Sequence, residues 1–255
     1  MIDLLLFGVF PYVAVILAVA VSLWRFKTRE FTFTSLSSQF LEGRQLFWGS
    51  VPWHYGILLL LLGHLIGILF PSGVQAFNGV PLRLYILEGT ALALGLLALV
   101  GLVVLFIRRS ANPYVQVVTS PMDMVLLLAL LFQVVTGVGT AILYRWGSAW
   151  FVSVEVPWLW SLATLTPNWS YMVSLPLLAK LHAVGVFALV ALLPFTRLIH
   201  IVSAPLPYLW RPYQVVMWYR QRQAIQASTV PSASNVRRDG TPSLGEPTPG
   251  QSQPV

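Results

Sequence analysis

Five stretches of the chain are long and apolar enough to cross a lipid hydrocarbon core, and this excludes most architectures at once. A core about 30 Å thick needs roughly 20 helical residues. Such stretches run approximately from Leu4 to Trp24, Val51 to Phe70, Leu84 to Ile107, Met122 to Tyr144 and Leu175 to Ile201. Backbone polar groups cannot stay unpaired in lipid, and each stretch is too long for a barrel strand, so all five are expected to be α-helices. Composition agrees: 57% of the 255 residues are hydrophobic, only 9% are charged, and the mean hydropathy is +0.76, far from a soluble domain. The expected fold class is an all-α integral membrane protein with five transmembrane helices.

Charge placement gives an orientation. Nothing basic precedes the first apolar run, while Arg25, Lys27 and Arg29 follow it, which argues against a cleaved signal peptide despite the small residues Ala18, Val19 and Ala20. Placing the N-terminus outside leaves only Arg83, Arg145 and Lys180 of the fifteen basic residues on the outer side. The positive-inside rule therefore predicts an outer N-terminus and a cytoplasmic C-terminus. The formal charge of +7 is absorbed by this bias, and no nucleic-acid partner is expected. Tryptophans near the span ends and in the long loop from Arg145 to Ser174 suit anchoring at the membrane interface. The stretch Tyr208 to Arg222 mixes aromatic and basic residues and suits a membrane surface or a partner. Residues 1–222 are expected to form the transmembrane domain, and 223–255, rich in Pro, Ser, Thr and Gly, a disordered cytoplasmic tail.

All four histidines fall inside the predicted spans: His54 and His64 in the second, His182 and His200 in the fifth. Ionisable groups within a membrane are costly and point to function. At 1.5 Å per residue, His54 and His64 stand about 15 Å apart along their axis and His182 and His200 about 27 Å apart. The second span runs inward to outward and the fifth runs back. Antiparallel packing then pairs His54 with His200 near the cytoplasm and His64 with His182 near the outside, in two layers about 21 Å apart. Eighteen residues make five helical turns, so a continuous fifth helix shows both of its histidines to one neighbour, with Pro194 a candidate kink. Gly56, Gly63, Gly67 and Gly185 leave room for a flat macrocycle or serve close helix packing.

The chain has no cysteine, so it can hold no disulfide, iron–sulfur cluster or thioether-linked haem. Zinc sites usually take three or four protein ligands. Two histidines per layer, with no acid within a turn, suit bis-axial haem b iron better. Metal ligation also lets an imidazole stay neutral in lipid, with one ring nitrogen on the metal and the other hydrogen-bonded.

The segments HYGILLLLLGHLIG from His54, KLHAVGVFALVALLPFTRLIHIVSAPLPYL from Lys180 and SSQFLEG from Ser37 resemble the gamma subunit of respiratory nitrate reductase, over about residues 1–213. The resemblance implies two haem b groups, one on His54 and His200 and the other on His64 and His182, in a prokaryotic inner or plasma membrane. It implies quinol oxidation near the outer pair, with Gly63 and His64 in the pocket wall, and electron delivery to an iron–sulfur beta subunit and a molybdenum-containing alpha subunit on the cytoplasmic face. The family's quinol pocket uses a lysine at the start of the third span; Tyr85 stands there instead, with Arg83 two residues earlier. Arg197 and Lys180 are candidate partners of haem propionates, or basic residues reaching for the headgroups. A di-haem anchor of another cytoplasmic-facing oxidoreductase would share these features. A transporter or structural anchor would use the histidines for proton relay or packing and would be colourless.

Overall fold

The computed structural model describes residues 1–28 and 44–201, all within the compact unit Met1–Ala204. The Ser37 segment, Arg29, the aromatic and basic stretch from Tyr208, the expected boundary at residue 222 and the tail beyond it lie outside the described residues. Among the described residues every regular element is helical, and five helices are long and apolar enough to span a membrane. They are α1 (Ile2–Thr28, with a π-helical turn at Leu5–Val9), α2 (Arg44–Leu69), α3 (Pro81–Ala111), α4 (Pro121–Leu143) and α5 (Leu177–Leu192), which runs into a 3₁₀ turn at Leu193–Phe195.

Local chemistry sets the ends. Arg25 and Lys27 fall in the last turn of α1, and Arg108 and Arg109 in that of α3, where cations suit the negative end of the helix dipole. Pro81 opens α3 and Pro121 opens α4 at positions that need no backbone donor. Ser120 and Asp123 form a capping box at the start of α4, each side chain taking the other's backbone N–H at 3.2 and 3.0 Å. The fifth helix departs from the sequence expectation. It does not continue to Ile201: Pro194 ends it, Thr196 is extended at φ −123° and ψ 176°, and a separate 3₁₀ segment, Arg197–Ile201, carries His200. Proline lacks the amide hydrogen and its ring crowds the preceding turn, so the five-turn argument does not place His200.

The principal packing pairs are α2 with α3, α3 with α4, α4 with α5 and α5 with α1. Helices α2 and α3 touch backbone to backbone. A Cβ on Gly56 would lie 2.8 Å from Ala98 N and Leu94 O, and one on Gly49 2.8 Å from the Leu105 side chain. Around this contact Trp53, Ala98, Leu102, Val134 and Val138 form one core. A second core gathers Phe7, Trp158, Leu162, Met172 and Ala183, joining α1 and α5 to short helices between Gly147 and Val173. Trp158 Nε1 donates to the Phe7 carbonyl at 2.9 Å, and the Tyr12 hydroxyl to the Leu162 carbonyl at 2.9 Å. Leu58, Leu62, Leu65, Ile66, Val100 and Leu128 stay exposed, and less than a third of each span is buried within the chain. Outward apolar surface on this scale suits contact with lipid.

Candidate paired-histidine site

His54 and His200 face each other with ring centroids 6.4 Å apart and planes at 64°. His54 comes from the first half of α2 and His200 from the 3₁₀ segment after Pro194. At the other end of the bundle, His64 packs its ring edge-on against Phe151 at 5.1 Å. The His182 ring turns toward α4, where it meets Gln133, Thr136 and Gly137.

Three of the four imidazoles share one hydrogen-bond pattern. Nδ1 of His54 lies 2.7 Å from the Ser50 carbonyl, Nδ1 of His64 2.8 Å from the Leu60 carbonyl, and Nδ1 of His200 2.6 Å from the Arg197 carbonyl. A carbonyl only accepts, so each Nδ1 carries the proton and each Nε2 presents a lone pair. His182 Nδ1 lies 3.0 Å from the Gln133 carbonyl, while the Gln133 amide nitrogen stands 3.0 Å from Nδ1 and 3.3 Å from Nε2. Thr136 Oγ1 is 3.3 Å from the same ring. Gly137 admits that ring, since a Cβ there would sit 2.7 Å from His182 Cε1. Gln133, Thr136 and Gly137 were not singled out by sequence reasoning. Their signal was present as polar residues at positions 133, 136 and 140 along one side of an apolar helix.

This donor set fits a metal held between two imidazoles. A transition-metal bond to an imidazole nitrogen is about 2.0 Å and the nitrogen lies about 1.1 Å from its ring centre, so two opposed imidazoles sharing one ion have centroids about 6 Å apart. The His54 and His200 rings meet that spacing. Among the described residues no group of three or more His, Cys, Asp or Glu side chains converges, so this pair offers fewer protein ligands than the three or four that a tetrahedral zinc site usually takes. Of the four glycines expected beside the ligands, only Gly63 faces open space. Gly56 serves the contact with α3, Gly67 lies under Phe151, and Gly185 lies against the Gln133 side-chain oxygen.

The cations expected near the histidines are engaged elsewhere. Arg197 forms a two-point ion pair with Asp123, Nε to Oδ1 at 2.6 Å and Nη2 to Oδ2 at 3.1 Å. Lys180 Nζ lies 3.6 Å from Asp3 Oδ1. Of the residues expected around a quinol, Tyr85 lines a cavity of about 190 Å³ with Glu88, Ala141, Arg145 and Trp146. The Tyr85 and Trp146 rings meet edge to face at 5.3 Å, and Glu88 Oε1 accepts from Ser148 N at 2.7 Å and Oγ at 2.6 Å. Arg83 instead stacks over Phe77 at 5.7 Å. Gly63 and His64 do not line this cavity.

One further acid is buried in the segment that joins α4 to α5. Glu155, 9% exposed, ends the π-helical turn Phe151–Glu155, and burial pushes its carboxyl from 4.5 up to about 7. The folded protein therefore holds this proton more tightly than the unfolded chain. Stability linked to Glu155 is complete below about pH 4.5 and is lost as pH rises toward 7, a total of about 3 kcal/mol. Thermal denaturation in detergent between pH 5 and 7.5 should show this decline, and Glu155→Gln should flatten it; an unchanged slope in the variant would remove Glu155 as its source.

The fold and site thus define a helical protein with five candidate membrane spans and with His54 set across from His200. Residues 3–219 match the family described as nitrate reductase gamma subunit, and the chain belongs to that family, a membrane subunit of nitrate reductase. It is 36% identical over 221 residues to the nitrate reductase gamma chain of Bacillus subtilis, covering 86% of this chain and 98% of that one. Against the respiratory nitrate reductase 1 gamma chain of Escherichia coli it is 31% identical over 219 residues, covering 84% and 96%. It also matches the nitrate reductase-like protein NarX of Mycobacterium tuberculosis at 34% identity, covering 87% of this chain but 34% of that longer protein.

Proposed function

We propose that this subunit oxidises quinol at the membrane's outer side and delivers the electrons to an iron–sulfur subunit, and through it to a molybdenum subunit, on the cytoplasmic face. The observation that carries this reading is the 6.4 Å spacing of His54 and His200, both with Nδ1 committed to a carbonyl. His54 with His200, and His64 with His182, would each hold one haem b, which when bound supplies one-electron redox chemistry. The outer N-terminus and cytoplasmic C-terminus follow from the distribution of basic residues.

The cavity beside Tyr85 supports a quinol head-group site. The Tyr85 hydroxyl can donate to a quinol oxygen, and Trp146 offers an aromatic edge to the ring. Oxidation of a quinol releases two protons and two electrons; the Glu88 carboxylate in the cavity lining takes one proton at a time and passes each to the outer solvent through the open mouth of the cavity. Ser148 holds Oε1 in place through two hydrogen bonds, which orients the carboxylate for proton transfer at Oε2.

The purified complex should give a reduced-minus-oxidised spectrum with a b-type α band and a pyridine haemochrome value of two haems per chain. A value near zero would overturn the reading and favour a colourless anchor or transporter. Tyr85→Phe and Glu88→Gln should each lower quinol oxidation about 10²-fold, as for the loss of a positioned proton-transfer group, with the haem count unchanged.

A further inference from the structure

The broken end of the fifth span leaves His200 on a five-residue 3₁₀ segment that no α-helical ladder holds. What holds it is a set of ionic and hydrogen-bond contacts from three other helices. From α1, Arg25 Nη1 donates to the Pro194 carbonyl. From α4, Asp123, only 6% exposed, grips the Arg197 guanidinium through both carboxylate oxygens. From α3, Arg109 Nη1 donates to the same carboxylate at 2.8 Å, and the backbone N–H of Ser120 adds a fourth donor at 3.0 Å. The Arg197 carbonyl in turn takes the His200 Nδ1 proton at 2.6 Å. A continuous line of contacts therefore runs from the Asp123 carboxylate through Arg197 to the imidazole that faces His54.

We propose that Asp123 is the positioning residue for His200, setting the depth and ring orientation of this ligand by clamping Arg197, whose carbonyl orients the imidazole. The proposal rests on the reading of His54 and His200 as a haem pair. It gives Arg197 a duty different from pairing a propionate. A bidentate carboxylate–guanidinium pair fixes both distance and plane, and at an end of the bundle where the α-helix has stopped it supplies the rigidity that the backbone no longer does. Neutralising Asp123 would leave the Arg109 and Arg197 guanidinium groups without their shared carboxylate. The 3₁₀ segment would then lose its anchor while the His64 and His182 end, carried on unbroken helices, keeps its own.

Asp123→Asn and Arg197→Gln in the full complex test this, read by haem per chain, redox titration of the two α-band components and low-spin ferric electron paramagnetic resonance. Each variant should remove the component that His200→Ala removes, lowering the count from two to one, or change its one-electron reduction equilibrium at least tenfold, about 59 mV. The other component should stay as in the parent, and Asp123→Glu should restore the count of two. Two unchanged components in either variant would overturn the proposal. So would loss of both haems together, or failure of both variants to accumulate in the membrane, since either outcome would assign Asp123 to folding in general. A parent complex without b-type haem would instead defeat the reading on which the proposal rests, before any variant is made.

Discussion

His64→Ala and His182→Ala are each expected to lower haem content from two to one per chain and to abolish quinol oxidation, while the His54 and His200 component stays reducible by a chemical reductant. Removing one axial imidazole deletes a metal–nitrogen bond, and alanine offers no replacement donor. The two depths are about 15 Å apart on α2 alone, so the loss should be confined to one component. His54→Ala and His200→Ala should produce the reciprocal result, leaving quinol able to reduce the remaining haem but not the nitrate-reducing partner. Spectra of membranes from the four variants, with quinol and then with dithionite, separate these outcomes. If His64→Ala removed the same component as His200→Ala, the pairing of the histidines would be wrong.

The second large effect concerns the contact that positions α2. A Cβ on Gly101 would lie 2.5 Å from Trp53 N and 2.7 Å from Gly49 O, closer than any side chain can approach a backbone. Gly101→Val should therefore force α2 away from α3, a destabilisation of about 3 kcal/mol by analogy with overpacked cores. It should also weaken haem retention, because His54 immediately follows Trp53 and moves with it. Gly89, on the same helix, has no atom within 4 Å of a Cβ, and Gly89→Ala is expected to leave the melting temperature unchanged or slightly raised. Thermal denaturation in detergent with absorbance of the haem as a second probe distinguishes the two. Equal melting of both variants would show that the α2 and α3 contact is not tight.

The membrane class, the five spans and the family were legible in the sequence because each rests on a local property. Hydrophobic runs of the length of a bilayer, and histidines ten and eighteen residues apart, need no tertiary information. Membership of the nitrate reductase gamma subunit family, across residues 3–219, agrees with the resemblance carried by the segments from His54 and Lys180. The ends of α4 match the expected span to one residue, whereas the start of α2 and the end of α3 lie several residues outside theirs. They extend beyond the apolar core through Arg44, Arg108 and Arg109 because polar residues continue a helix once hydrogen bonding has propagated.

Side-chain partners were not legible, because they depend on which helices become neighbours. The sequence showed Arg197 one turn before His200 and Lys180 two residues before His182, but Asp123 is 74 positions from Arg197 and Asp3 lies on the first span. The glycines illustrate the same point: Gly56 and Gly63 look alike in an apolar helix, yet one meets the backbone of α3 and the other faces open space. Gln133 became relevant only when α4 was placed against α5.

The sequence by itself determined the all-helical membrane class, the five apolar stretches long enough to span a bilayer and the family, since apolar length is a property of composition and order. Only the tertiary structure decided that Pro194 stops α5 and that His200 reaches His54 from a short segment clamped by Asp123. Only it showed that Tyr85 shares a cavity with Glu88 and Arg145. Those arrangements arise from close packing between residues far apart in the chain, where a single methyl group or carboxylate determines which side chains can meet.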